Sequence, residues 1–520
     1  MNKADEPRMP PPAAHWSERA GLWGYLLFLA VFGSIMAPRV SNIAGGADPS
    51  CYLELSRCFM DGSLHPPMRP VAGLPLDAFG TGLYAPISFE PLPDYSGLVP
   101  TGFTGLPLLY SFFDLFLPTP VAIGLTGWLT MMGCGVVPFL LLRAIGFGNA
   151  WAAFGGITAG LSPLVVLIGS VPMTDPLTCC LAAACWLLAL NAERGRGWAA
   201  ALGFVLGFAV LTRLSNVLLF PAMAAYLLLH GWRRVSWAAI VAGGAPAAVF
   251  LLLYNQHVSV VSGYGNVLDL LNPGFLPGSL GHYLQWLNML FFPAAIVFAP
   301  FSLLFIGRDR AIVASAWLLI AAYTVFYGSY FASTETWFIL RYIMPAIVAI
   351  IAASVLVLQR SEGWIVRRWN LGRFRGILPV ILALAALAHG IHHGSRMRAY
   401  DFKKNESVIL DVVDWLEQST RADDVFLCFN FSGSLHYYTD RAFLRHERLD
   451  PASWEKLVAA VDEETIYGIF YAFEMGDPGT VAGKFPGAWE QVFITHDGAI
   501  RVFRLKKEPA VPIESLVPAA

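Results

Sequence analysis

The sequence predicts a polytopic α-helical membrane protein, of about eleven spans, with a small α/β domain outside the membrane at its C-terminal end. Three observations predict it. Of 520 residues, 56% are hydrophobic and only 13% charged, with a mean hydropathy of +0.57, whereas a soluble domain carries about 25% charged residues. Apolar runs long enough to cross a bilayer recur along the first 400 residues. Beyond that point the composition breaks, and every lysine except Lys3 lies after it.

The chain opens with a polar, Pro-rich leader over 1–21, expected on the cytoplasmic side. The first apolar run, Leu22 to Ala37, ends in Pro38-Arg39 rather than a small-x-small cleavage site, and reads as a retained span. Further runs follow at about 119–142, 149–171, 176–191, 198–213, 215–230, 235–254, 284–305, 311–328, 341–358 and 376–393. Together they make a membrane domain over 22–395. One set of connections holds Arg143, Arg194, Arg196, Arg233, Arg234, Arg308, Arg310, Arg360, Arg367, Arg368, Arg373 and Arg375. The opposite set holds only Arg39, Arg57, Arg69, Arg213 and Arg341. The positive-inside rule makes the richer set cytoplasmic, in a cytoplasmic (inner) membrane, and an odd span count places the tail outside.

Acidic residues are biased the other way. Asp48, Glu54, Asp61, Asp77, Glu90, Asp94, Asp114, Asp175, Asp269 and Glu335 all fall on the expected outer side. Many of them sit in a long first outer loop at 39–118. It predicts a helix from Asp48-Pro49 to about Gly62, then a Pro/Gly-rich stretch with aromatics. An amphipathic helix over 106–117 follows, too short to span and suited to the interface. The tail, 396–520, predicts helices near 405–419 and 451–461, strands at 424–430 and 465–471, and a closing hairpin near 489–495 and 499–505 turned by Asp497-Gly498. A net charge of −2 argues against a nucleic-acid surface. The seven cysteines do not read as a disulfide framework.

Chemistry is sought in two Asp-Pro pairs. Asp48-Pro49 follows the first span, and Asp175-Pro176 stands at the outer end of the third. Asp as N-cap with Pro at the first helical position accounts for each pair structurally. A capping carboxylate still has a second oxygen to offer, and the topology puts both pairs at one membrane boundary.

The run Gly46-Ala47-Asp48, Tyr52-Leu53, Arg57 and Gly62 after a first span resembles the opening of the GT-C glycosyltransferases. These include protein O-mannosyltransferases, aminoarabinose transferases and oligosaccharyltransferases. Pro100-Thr101-Gly102, Thr174-Asp175-Pro176-Leu177, Leu211-Thr212-Arg213, Tyr254-Asn255 with Gly263-Tyr264-Gly265, and Arg341-Tyr342 with Pro345 continue it in order. The chain departs from the pattern where Asp-Pro stands in place of the Asp-Glu that the mannosyl and aminoarabinosyl branches often carry, where Thr101 replaces a Pro, and in having no lysine between Lys3 and Lys403. The tail lacks the Trp-Trp-Asp signature of oligosaccharyltransferases.

The resemblance implies a polyprenyl-phosphate sugar donor and a glycan, lipid or protein acceptor, as in cell-envelope glycosylation, with membrane lipids around the chain and transfer with inversion. Asp48 is expected as general base, with Asp175 beside it. Arg213 and Arg341, the basic residues of the short outer connections, are expected on the phosphate. An ion pair with Glu335 or Asp175, or snorkelling, accounts for either arginine as well. A divalent cation, Mg or Mn, on Asp48 and Asp175 is left open. Tyr52, Glu335, His257 and Tyr264 are further candidates for substrate contact. His389, His392 and His393 share a face and are assigned nothing. A transporter or flippase of a lipid-linked intermediate is the rival reading, and a non-catalytic scaffold the third. Transporters favour repeated halves and mid-membrane charge, which this chain does not show.

Overall fold

The structure, a computed structural model, describes residues 16–74, 79, 81–92, 94, 96–257, 270–475 and 485–506. The described residues begin with α1 (Trp16–Met36), and no charged residue lies between Arg19 and Arg39. Its twenty-one residues span roughly 30 Å at ~1.5 Å per residue, the thickness of a hydrocarbon core. The segment after α1 folds into α2 (Ala47–Met60), the short antiparallel pair β1 (Phe89–Pro91) and β2 (Leu98–Pro100), and α3 (Gly105–Asp114). Phe112, Leu115 and Phe116 at the end of α3 are exposed.

The membrane region continues with α4 (Thr119–Ile145), the bent pair α5 (Asn149–Gly160) and α6 (Pro163–Gly169), α7 (Thr174–Asn191), α8 (Arg196–Thr212), α9 (Leu219–Gly231) and α10 (Trp237–His257). After these come α11 (Leu276–Leu290), α12 (Pro293–Phe298), α13 (Arg310–Gly328), α14 (Met344–Arg368) and α15 (Ile377–Arg396). Among the described residues eight helices are long and apolar enough to cross a membrane, and nine if the bent pair counts as one. Arg196–Thr212 and Pro293–Phe305 are shorter apolar helices. The run expected at 284–305 is thus not one straight element: Phe291 and Phe292 are extended, and Pro293 starts a new helix. Helix α14 is buried along most of its length and forms the centre of the bundle.

Beyond α15 lie α16 (Phe402–Glu406) and α17 (Val408–Ser419), then β3 (Val425–Cys428), α18 (Ser432–Tyr438), β4 (Ala442–Arg445), α19 (Pro451–Ala460), β5 (Ile466–Tyr471), β6 (Ala488–Ile494) and β7 (Ile500–Lys506). The sheet order is β4-β3-β5-β7-β6, parallel across β4-β3-β5 and antiparallel across β5-β7-β6. Sequence reasoning missed β4 and α18, because four buried residues carry no alternation to read. The Asp497-Gly498 turn is present, with Gly498 at φ 72°. Side chains alternate across the sheet: Phe426 and Cys428 face α17, while Val425 and Leu427 face Trp454 and Leu457 of α19. Val71, Phe79, Leu83 and Tyr84 join that second face, so the segment between α2 and β1 completes the core of the tail.

Candidate functional site

Two helix beginnings meet at one place. Gly46 takes φ 76°, a conformation that favours glycine, and starts α2 at Ala47. Asp48 therefore sits in the first turn, as Asp175 does in α7. The expectation that they act as N-caps is corrected. Gly46 and Met173 hold those positions, and neither helix start has a side-chain cap. Neither carboxylate is spent on capping, and both still benefit from the positive ends of their helices.

One guanidinium group, that of Arg341, reaches both carboxylates, and a second, that of Arg213, reaches Asp175. Arg213 follows the end of α8 in extended conformation, and Arg341 lies in the short 3-10 turn Trp337–Ile343 that leads into α14. Arg341 Nη2 donates to Asp48 Oδ2 at 2.9 Å, and its Nη1 lies 3.9 Å from Asp175 Oδ2. Arg213 Nη1 donates to Asp175 Oδ1. The Asp175 side chain is 1% exposed, those of Arg213 and Arg341 12% and 8%, and that of Asp48 35%. Asp48 is thus the member of the quartet that meets solvent. Two buried atoms remain without a hydrogen-bond partner among the described residues, Asp175 Oδ2 and Arg341 Nε.

An aromatic wall that sequence reasoning missed backs the cations. Arg213 Cζ stands 4.4 Å from the centre of the Tyr342 ring, and Arg341 Cζ 4.2 Å from that of Phe338. Tyr342 also accepts from Arg341 Nη2 at 3.3 Å and stacks on Tyr327, which meets Ser215. Tyr342 and Phe338 are one and three residues from Arg341, a signal that could have pointed to them. Tyr327 lies within an apolar run and offered none.

Tyr52 follows Asp48 by one turn, and its hydroxyl lies 3.4 Å from Thr174 Oγ1, joining α2 to α7. Burial, then the nearby Asp48 charge, pushes its phenol well above the ordinary range. Gly105 brings α3 against Thr212, the neighbour of Arg213: a Cβ there would lie 2.4 Å from Thr212 Oγ1 and 2.6 Å from its backbone. Glu335 is exposed and, among the described residues, forms no ion pair. Tyr264 and the side chain of His257 lie outside the described residues. The rings of His389 and His393 lie 4.5 Å apart, but His389 Nε2 faces the Asn288 carbonyl at 3.0 Å. Among the described residues no three His, Cys, Asp or Glu side chains form a metal-ligand group.

The tail clamps the helix that carries Asp48. Ser434 Oγ of α18 donates to the Ala44 carbonyl at 2.6 Å, and the Ala44 N–H donates to the Tyr438 hydroxyl at 2.9 Å. Arg57 donates to the Tyr437 carbonyl at 2.9 Å and lies over its ring. On the other side Ser41 donates to Glu406.

The family model described as dolichyl-phosphate-mannose-protein mannosyltransferase matches residues 108–258. No curated protein matches by sequence. Among solved structures, ArnT from Cupriavidus metallidurans bound to undecaprenyl phosphate aligns with a TM-score of 0.58 at 13% identity, covering 94% of this chain and 99% of that one. The Archaeoglobus fulgidus oligosaccharyltransferase in its apo form aligns with a TM-score of 0.56 at 11% identity, over 95% and 76% of the two chains. The same organism's oligosaccharyltransferase AglB, in complex with an inhibitory peptide and a dolichol-phosphate, aligns at 0.53 and 10% identity, over 95% and 75%. At these identities the likeness is one of fold.

Proposed function

This chain is a membrane protein with a GT-C-like glycosyltransferase fold, and from that premise we propose that it transfers a sugar from a polyprenyl-phosphate-linked donor to an extracytoplasmic acceptor. The observation that carries the proposal is the convergence of Asp48, Asp175, Arg213 and Arg341 at two helix beginnings. The lipid phosphates named in the ArnT and AglB structures support the donor class.

The acceptor hydroxyl oxygen attacks the anomeric carbon while the bond from that carbon to the phosphate oxygen breaks. The electron pair stays on the phosphate, and the hydroxyl proton passes to Asp48. A single displacement of this kind inverts the anomeric centre. Asp48 suits the base because it is the exposed carboxylate, on the side an acceptor can reach. Arg213 and Arg341 take up the charge of the departing phosphate, and Arg341 Nε brings a donor not yet engaged. At rest Arg341 is paired with Asp48. An arriving phosphate competes for that guanidinium and frees the carboxylate. Asp175 holds Arg213 in place. Tyr52, Glu335 and the stretch with His257 and Tyr264 remain candidates for substrate contact.

A divalent cation would find two carboxylates, Asp48 and Asp175, and would draw its other ligands from phosphate and water. Both carboxylates are already matched by guanidinium groups. In the proposed topology the eight long helices, the bent pair, α8 and the 293–305 segment make eleven crossings. The leader 1–21 lies inside and the domain from 396 outside, as the arginine bias requires.

The test offers purified protein a panel of polyprenyl-phosphate sugars with candidate acceptors and measures released polyprenyl phosphate. Asp48→Asn should fold normally and turn over ~10²–10⁴-fold more slowly. Turnover unchanged in that variant would end the proposal.

A further inference from the structure

The face between the first and last membrane helices carries a cavity of about 580 Å³ whose lining includes no member of the charged quartet. Gly24, Leu27, Val31 and Ile35 of α1 form one wall, and Leu387 and Ile391 of α15 the other. Leu27, Val31, Ile35 and Ile391 are all exposed, so the groove opens sideways, toward lipid. Gly24 leaves the space free: a Cβ built there meets nothing within 4 Å.

The groove changes character at one end. Arg39 and Tyr400 close it where α1 and α15 leave the membrane. Arg39 is exposed, its Nη1 donates to the Ile35 carbonyl at 2.5 Å, and it has no carboxylate partner among the described residues. Arg396 adds a second positive charge at the same end of α15, and Arg398 is offset by Asp401 at 3.7 Å. A long apolar slot with an unpaired guanidinium at the lipid–water boundary is complementary to a chain bearing a phosphate headgroup.

We propose that this groove binds one anionic glycerophospholipid, an acyl chain lying along Leu27, Val31 and Leu387 and its phosphate meeting Arg39 and Tyr400. The sugar donor is not the occupant. None of the lining residues belongs to the charged quartet.

The test uses the full chain in nanodiscs containing phosphatidylglycerol with a photoactivatable group in its acyl chain, followed by peptide mapping. Labelling should concentrate on α1 and α15. Unlabelled phosphatidylglycerol should compete at least tenfold better than phosphatidylcholine. Gly24→Phe fills the slot and should reduce labelling about tenfold with an unchanged unfolding temperature. Arg39→Gln should keep residual labelling and lose the preference for the anionic lipid. Label spread evenly over all lipid-facing helices would overturn the proposal. So would equal competition by phosphatidylcholine, better competition by a polyprenyl phosphate, or unchanged labelling in Gly24→Phe.

Discussion

Asp175→Asn removes a charge and almost no volume, and it leaves Arg213 with its carboxylate partner gone. Both side chains are shielded, at 1% and 12% exposure. Breaking a buried pair by taking one partner away costs ~3–5 kcal/mol. The Tyr342 ring, 4.4 Å from Arg213 Cζ, recovers about 1 kcal/mol of that. The net expectation is a loss of roughly 2–4 kcal/mol. Arg213→Gln should cost a similar amount, because Asp175 would then rely on Arg341 at 3.9 Å. The double variant leaves two neutral amides able to hydrogen-bond each other, so it should be less destabilised than the sum, with a coupling of about 2 kcal/mol. The assay is a double-mutant cycle on unfolding free energy, in a detergent system where unfolding is reversible. Additivity of the two single changes to within ~0.5 kcal/mol would refute the argument, since it would mean the pair is not held in the folded protein.

Gly105→Ala places a Cβ 2.4 Å from Thr212 Oγ1, so the segment before Arg213 must move. Overpacking of this kind costs ~1–3 kcal/mol, and in donor titrations KM should rise before kcat falls. Glu406 has its carboxyl pushed up to about 8 from 4.5, by burial against a smaller opposing effect of its bond from Ser41. The folded chain then binds this proton more tightly than the unfolded chain. Stability contributed by Glu406 is full below about pH 4.5 and is lost as pH rises through about 8. Glu406→Gln should flatten that decline in a series of unfolding temperatures, and an unchanged slope would count against it. Arg57→Ala removes the hydrogen bond to the Tyr437 carbonyl and the contact with its ring. Hydrogen exchange in 432–438 should accelerate by roughly tenfold, matching a loss of ~1–2 kcal/mol.

The elements legible in the sequence are those set by local pattern. An apolar run such as Leu22 to Ala37 must lie in lipid whatever its neighbours do, because each residue adds transfer free energy independently. A Gly-Ala-Asp-Pro run begins a helix for reasons contained in four residues. Local rules also misled: Asp48 and Asp175 have the preferred identity for N-caps, yet guanidinium groups outcompete backbone N–H groups for their oxygens. The tertiary structure alone decided which charges meet. Arg341 reaches Asp48 across 293 residues of sequence, and no periodicity encodes such a contact. Tyr327 reads as one more apolar position within a span until α13 packs beside Arg213. Nor does any pattern in 396–520 foretell that α18 meets Arg57 of α2, or that Phe79 and Tyr84 complete the core of the sheet. Hydrophobic transfer is a property of each segment, so the sequence marks the apolar runs, though not the breaks within them such as that at Phe291 and Phe292. Ion pairing and burial are properties of neighbours, and only the folded chain supplies them.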